Sequence, residues 1–216
     1  MKVKRAVIFD LDGTLLQTLP DIGGSMNRVL ERFGLPTHPI EAYNMMVGNG
    51  AVNLTARAIG GKDHPLMDEV YHAYRAEYAA HTCDQTYVYP GIRETIQELG
   101  KLGVLLTVFS NKDDPDVNSV IQHYFPEKPF AIIRGRLDGV PLKPEPDGAI
   151  LIANTLKLQT SEILYVGDTG TDMDCGNNAN METVGVTWGF RTREELIQHR
   201  ACHIIDKPEE LLNLVK

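Results

Sequence analysis

An apolar run that stops abruptly on two acids constrains this chain more than any other stretch. Arg5-Ala6-Val7-Ile8-Phe9 leads directly into Asp10-Leu11-Asp12-Gly13-Thr14. Val7, Ile8 and Phe9 read as a strand buried on both faces, as strands of parallel sheets are. Asp10 then falls at the carboxyl end of that strand, where open α/β sheets place their ligands. Side chains alternate along a strand, so Asp10 and Asp12 face one point unless the backbone turns between them. Two carboxylates aimed at one place repel each other, and the simplest relief is a metal ion. A strand ending in a plain Asp-Gly turn fits the same residues, so the remainder of the chain has to decide.

That remainder alternates. Apolar strand runs at 104–109, 130–133, 163–166, 182–187 and 201–205 are interleaved with helical patterns at 92–102, 146–158, 172–178 and 209–215. Asp113 or Asp114 is placed to cap a further helix with Pro115 in its first turn. Such alternation implies right-handed crossovers and an α/β fold with a doubly wound, parallel, Rossmann-like sheet. Residues 18–81 have a different texture, with helical patterns at 21–33, 40–46, 52–59 and 65–80 and no strand. The expected organisation is an α/β core formed by 1–16 plus 83–216, with a helical cap at 17–82 inserted after the first strand. Linkers at 15–18 and 82–88 would let the cap open and close.

A net charge of −8 leaves no excess of lysine and arginine for a nucleic-acid backbone. It does not oppose a small anionic substrate, because a metal and a few local cations override the global field. The three cysteines, Cys83, Cys175 and Cys202, have no metal-type spacing and suit a reducing cytoplasm. Neither a signal peptide nor a membrane-crossing run is expected.

Polar residues recur where three central strands end, at Asp10, Ser110 and Asp168. In a parallel sheet those ends share one edge. Taken singly, Ser110 reads as a helix cap, Lys143 as a surface lysine, and Asp168 as a loop cap. Pro144 holds Lys143 towards an extended conformation, and Asp172 follows Asp168 by four positions, which suits a hard cation needing oxygen ligands. Together, acidic strand ends, a hydroxyl and a pinned lysine fit phosphoryl transfer, in which a carboxylate attacks and Ser, Lys and backbone N–H groups hold the oxygens.

Asp10-Leu11-Asp12-Gly13-Thr14, Ser110, Lys143 and Gly167-Asp168-Thr169-Gly170-Thr171-Asp172, in that order, resemble the four motifs of the haloacid dehalogenase-like phosphatases. The helical insert resembles that superfamily's cap. Val47-Gly48-Asn49-Gly50, Ser110-Asn111-Lys112 and Trp188-Gly189-Phe190 resemble the phosphoglycolate phosphatase branch. The resemblance implies a Mg²⁺-dependent enzyme that hydrolyses a small phosphorylated metabolite, 2-phosphoglycolate foremost, as a monomer or homodimer with no nucleic-acid or membrane partner. Inorganic pyrophosphate, nucleoside monophosphates and sugar phosphates are the rival substrates, and a non-catalytic binding protein on the same fold is the rival class.

By position, the resemblance makes Asp10 the nucleophile that forms an aspartyl-phosphate and binds Mg²⁺. Asp12 would move protons and offer the metal its backbone carbonyl. Ser110, with the Leu11 and Asn111 backbones, would hold the phosphoryl group, and Lys143 would neutralise charge. Asp168 would bind Mg²⁺ directly, and Asp172 through water or by orienting Lys143. Thr14 would hold the phosphate end or its loop. Departures are Gln17, Phe109 and Thr169, where relatives often carry Asp, Thr and Ser. Gly48-Asn49-Gly50 is the cap loop expected to reach inward, with Asn49 donating to a substrate carboxylate or hydroxyl; a plain turn between helices is the other reading. Arg57 and Arg75 are candidates for an acidic substrate or simply surface charges, and Trp188 is expected at the core edge.

Overall fold

The computed structural model describes residues 3–215. Six parallel strands form one sheet: β1 (Ala6–Phe9), β4 (Leu105–Asp113), β5 (Phe130–Arg136), β6 (Ile163–Gly167), β7 (Glu182–Val186) and β8 (His203–Ile205). Their order is β5-β4-β1-β6-β7-β8. β1 pairs with β4 on one side and β6 on the other. The strand order therefore reverses at β1, and a crevice opens at the carboxyl ends of these three strands. Every residue of β1 is buried. Val7 and Phe9 pack in the cluster on one face of the sheet, Ala6 and Ile8 in the cluster on the other. That period of two explains a continuous apolar run without polar alternation.

Flanking helices are α4 (Ile92–Lys101), α5 (Asp114–Tyr124), α6 (Asp147–Leu156), α7 (Gly170–Asn178) and α8 (Arg193–Gln198). Asp113 is the N-cap residue of α5, and a proline lies in that helix's first turn. The spacing does not signal α8, a short helix whose Thr192 hydroxyl accepts from the Glu195 N–H. The segment read as a closing helix is a 3₁₀ helix over Pro208–Asn213.

The helical insert comprises α1 (Leu19–Arg32), a 3₁₀ turn at Ile40–Met45, α2 (Gly50–Ile59) and α3 (Met67–Ala80). α1 starts two residues earlier than its apolar period indicates, because Pro20 needs no backbone donor in a first turn. The insert has its own apolar cluster, including Met26, Leu30, Tyr43, Val70 and Tyr74, and Phe190 of the core packs into it. Entry and exit strands β2 (Leu16–Gln17) and β3 (Tyr87–Val88) pair antiparallel. Asp21, 3% exposed, accepts from the backbone N–H groups of Gln85 and Thr86 and from the Thr86 hydroxyl. The two linkers are thus one ribbon fastened by a buried carboxylate. Gln17 sits in it and accepts from the Leu19 N–H at 3.1 Å, serving the helix start. Trp188 donates to the Thr14 carbonyl at 3.0 Å and lies at the core edge, as expected.

Candidate active site

The crevice collects the residues that the sequence scatters. Asp10 follows β1, Ser110 to Lys112 lie in the last part of β4, Lys143 in the loop before α6, Asp168 after β6, and Asp172 in the first turn of α7. β4 is longer than its apolar run, since Asp113 still pairs with Arg136. The register shifts between Phe109 and Asp113. A regular strand would send Asn111 to the face opposite Ser110 and Lys112. The irregularity lets all three line one cavity.

Lys143, 4% exposed, holds the centre. Its Nζ lies 2.8 Å from Asp10 Oδ1 and 2.7 Å from Asp172 Oδ1. Asn111 fixes the lysine's backbone, accepting from the Lys143 N–H at 2.9 Å and donating to its carbonyl at 3.1 Å. Asp172 also receives the Thr169 hydroxyl and N–H in a capping box at the start of α7. Of the two roles expected for Asp172, the contacts favour orienting Lys143. Asp168 accepts from the Thr14 hydroxyl at 3.0 Å and the Phe190 N–H at 2.8 Å. Thr14 is fully buried and does not line the cavity, and its hydroxyl is spent on Asp168. Leu11 is likewise buried off the cavity, with its carbonyl turned onto the Thr14, Leu15 and Leu16 N–H groups.

Asp10, Asp168 and Asp172 each offer a carboxylate oxygen within 4.8 Å of the others. Burial, the largest influence, pushes the Asp10 carboxyl up to about 7; Lys143 pulls it back, while Asp172 and Asp12 add to the rise. Burial and then Asp172 and Asp10 hold the Asp168 carboxyl well above the usual range. Burial alone would discharge Lys143, but Asp10 and Asp172 reverse this and hold its ammonium charged. Three buried acids against one lysine leave a net demand for positive charge. Asp10 Oδ1 sits beside the ammonium without the alignment of a hydrogen bond, so a buried acceptor stays open. This donor set of hard oxygens fits a divalent cation such as Mg²⁺. The Asp12 side chain is outside the acidic trio. It turns to Lys112, whose Nζ lies 2.7 Å from Asp12 Oδ1.

Glycines make room for these acids. A Cβ on Gly13 would stand 2.3 Å from Asp168 Oδ2, and one on Gly189 would stand 2.2 Å from the Asp168 Cβ. Gly13 also has φ +89°, which a side chain disfavours. Gly13→Ala is therefore expected to cost roughly 1–3 kcal/mol of stability and to displace Asp168. Thermal unfolding checks the first effect. Loss of the cation-induced rise in Tm checks the second.

The cap closes over the crevice. Gly48 and Gly50 line the cavity, and the Gly48 carbonyl accepts from Asn111 at 2.9 Å. Asn49 does not reach inward. As N-cap residue of α2, it has its carboxamide oxygen taken by Arg57 at 2.7 Å. From α3, Arg75 reaches Asp113 at 2.8 Å and Asp116 at 2.5 Å, so it works as a cap–core tie. Arg191 of the core donates to the Asn44 and Val47 carbonyls of the cap. Sequence reasoning gave no role to Lys112, Arg191, Tyr74 or Tyr78. The tyrosines read as helix-face apolar residues, and only tertiary structure shows them in the cavity wall.

The haloacid dehalogenase-like hydrolase family pattern matches residues 7–186. A phosphoglycolate phosphatase of Pseudomonas putida is 32% identical over 214 residues, covering 96% of this chain and 78% of the relative. One from Haemophilus influenzae is 29% identical over 215 residues, covering 96% of each chain. The crystal structure of a predicted phosphoglycolate phosphatase from Haemophilus somnus superposes with a TM-score of 0.93 at 25% identity over 100% of both chains. Among the described residues no helix is long and apolar enough to cross a membrane. With the acidic trio, the pinned lysine and the parallel sheet in place, these matches establish the chain as a haloacid dehalogenase-like hydrolase, a phosphatase of the branch that holds the phosphoglycolate phosphatases.

Proposed function

We propose that the chain is a Mg²⁺-dependent phosphatase that hydrolyses 2-phosphoglycolate through an aspartyl-phosphate on Asp10. The observation that carries this reading is the Asp10 carboxylate on the wall of a cavity between cap and core, against Lys143 and backed by Asp168 and Asp172. The names of the relatives favour this two-carbon ester over the rival substrates.

Asp10, Asp168 and Asp172 would hold Mg²⁺, directly or through water, and Asp12 would add its backbone carbonyl. Once bound, the ion supplies positive charge to the phosphate oxygens and keeps Asp10 ionised. The Asp10 carboxylate attacks phosphorus in line with the ester oxygen, and the phosphorus–oxygen bond to the alcohol breaks. Asp12 hands a proton to the departing oxygen. It then takes a proton from water, which attacks phosphorus and frees Asp10 as phosphate forms. Lys143 balances charge on Asp10 and the phosphoryl oxygens, and the Ser110 hydroxyl and Asn111 N–H hold those oxygens. Cap closure keeps bulk water from the acyl-phosphate until the leaving group has gone.

Phosphate release from 2-phosphoglycolate, pyrophosphate, a nucleoside monophosphate and a sugar phosphate tests the reading. Turnover is expected only with Mg²⁺ and highest for 2-phosphoglycolate; higher kcat/KM for any rival removes the substrate assignment. Mg²⁺ should also raise Tm, because it binds only the folded acids. The rise should grow as pH climbs through about 7, where the metal-free Asp10 carboxyl gives up its proton. In Asp168→Asn the rise should shrink or vanish.

A further inference from the structure

Three side chains bring positive charge to the cavity wall. Lys143 is held by Asp10 and Asp172, and Arg75 by Asp113 and Asp116. Lys112 has a single carboxylate partner, Asp12. Its side chain is 7% exposed, and its Nζ lies 4.8 Å from the centroid of the Tyr78 ring. Tyr74 stacks on Tyr78, lines the same wall and is 3% exposed. Among the described residues its hydroxyl has no hydrogen-bond partner.

In the proposed reaction Asp12 carries a proton to the ester oxygen, and a protonated Asp12 no longer offers Lys112 an anion. A buried ammonium stripped of its one anion is strongly disfavoured. The complex forms readily only if the substrate brings a replacement. Lys112 Nζ and Asp12 Oδ1 are 2.7 Å apart. An anion that reaches Lys112 while the ester oxygen meets Asp12 therefore sits close to that oxygen, as a carboxylate on the adjacent carbon does. We infer that Lys112, with the Tyr74 hydroxyl as a second donor, forms a subsite for a carboxylate on the carbon that bears the phosphate ester. The substrate class is then 2-phosphooxy carboxylates, which Lys112 selects by exchanging Asp12 for the substrate's own acid. Neutral phosphoesters of the same length leave Lys112 unpaired and are turned over poorly.

This inference rests on the phosphatase reading of the cavity, and its test separates the two. The measurement is kcat/KM for 2-phosphoglycolate against 2-hydroxyethyl phosphate, its neutral counterpart. The wild-type chain is expected to prefer the acid by about 100-fold. Lys112→Met should bring the ratio to within about 3-fold, because the lost ion pair affects the acid alone. Tyr74→Phe removes one hydroxyl without changing shape and should reduce the ratio by about 3- to 10-fold. If Lys112→Met slows both esters equally, Lys112 only steadies Asp12 and the subsite is wrong. A wild-type ratio near one overturns it too. A wild-type chain that hydrolyses neither ester, with or without Mg²⁺, overturns the phosphatase reading along with it.

Discussion

Asp10→Asn is expected to abolish turnover, by at least about 10⁴-fold in kcat, and to leave the fold intact. Asparagine has the same shape and still fits this buried position, 6% exposed. It cannot attack phosphorus, so the loss is chemical and not one of packing. The metal-free variant should be more stable than the wild type at neutral pH. In the wild type, burial together with Asp172 and Asp12 raises the Asp10 carboxyl to about 7 against the pull of Lys143. A carboxyl raised on folding contributes stability at acid pH that is lost as pH rises through about 7. Removing the acid removes that loss. Metal-free Tm should therefore fall with rising pH more steeply in the wild type than in Asp10→Asn, and parallel melting series measure this. Full activity in Asp10→Asn would rule out Asp10 as the nucleophile.

Lys143→Met should damage both stability and catalysis. The lysine is the cation between Asp10 and Asp172, at 2.8 and 2.7 Å, with a side chain 2% exposed. Breaking a buried pair by removing one partner costs roughly 3–5 kcal/mol, because the charge left behind is uncompensated. Protonating the stranded acids relieves the repulsion, so the deficit in Tm should narrow at lower pH. Added Mg²⁺ should recover part of the stability at neutral pH. It should not recover the rate, since in the proposed mechanism Lys143 also balances charge on the transferred group, and kcat/KM should stay about 10³-fold down. A variant as stable as the wild type without metal at neutral pH would refute this view of the charge balance.

The sheet was legible because its strands are buried on both faces and end in polar punctuation. Val7 to Phe9 and Ile163 to Val166 read as strands for that reason, and their last neighbours, Asp10 and Asp168, lie in one crevice. Where local periodicity competes with tertiary pairing, the reading failed. β4 runs through Ser110-Asn111-Lys112 to pair with Arg136, although those residues look like a loop. α8 is held by one threonine cap and a single buried leucine, too little signal for a pattern. Asn49 shows the limit for the cap. A Gly-Asn-Gly loop states that the backbone can approach the site closely, and Gly48 and Gly50 do line the cavity. Which way the Asn49 amide points depends on Arg57, about two turns along α2, and no local rule encodes that choice. The role of Lys112 was invisible for the converse reason. Its meaning comes from Asp12, one hundred residues earlier, and from an aromatic pair on a different helix.

The central claim is that phosphate passes through Asp10. The enzyme can be acid-quenched while it turns over radiolabelled 2-phosphoglycolate with Mg²⁺, digested, and its peptides mapped. Label is predicted on the peptide containing Asp10, with none in Asp10→Asn. Turnover with no label on that peptide would contradict it.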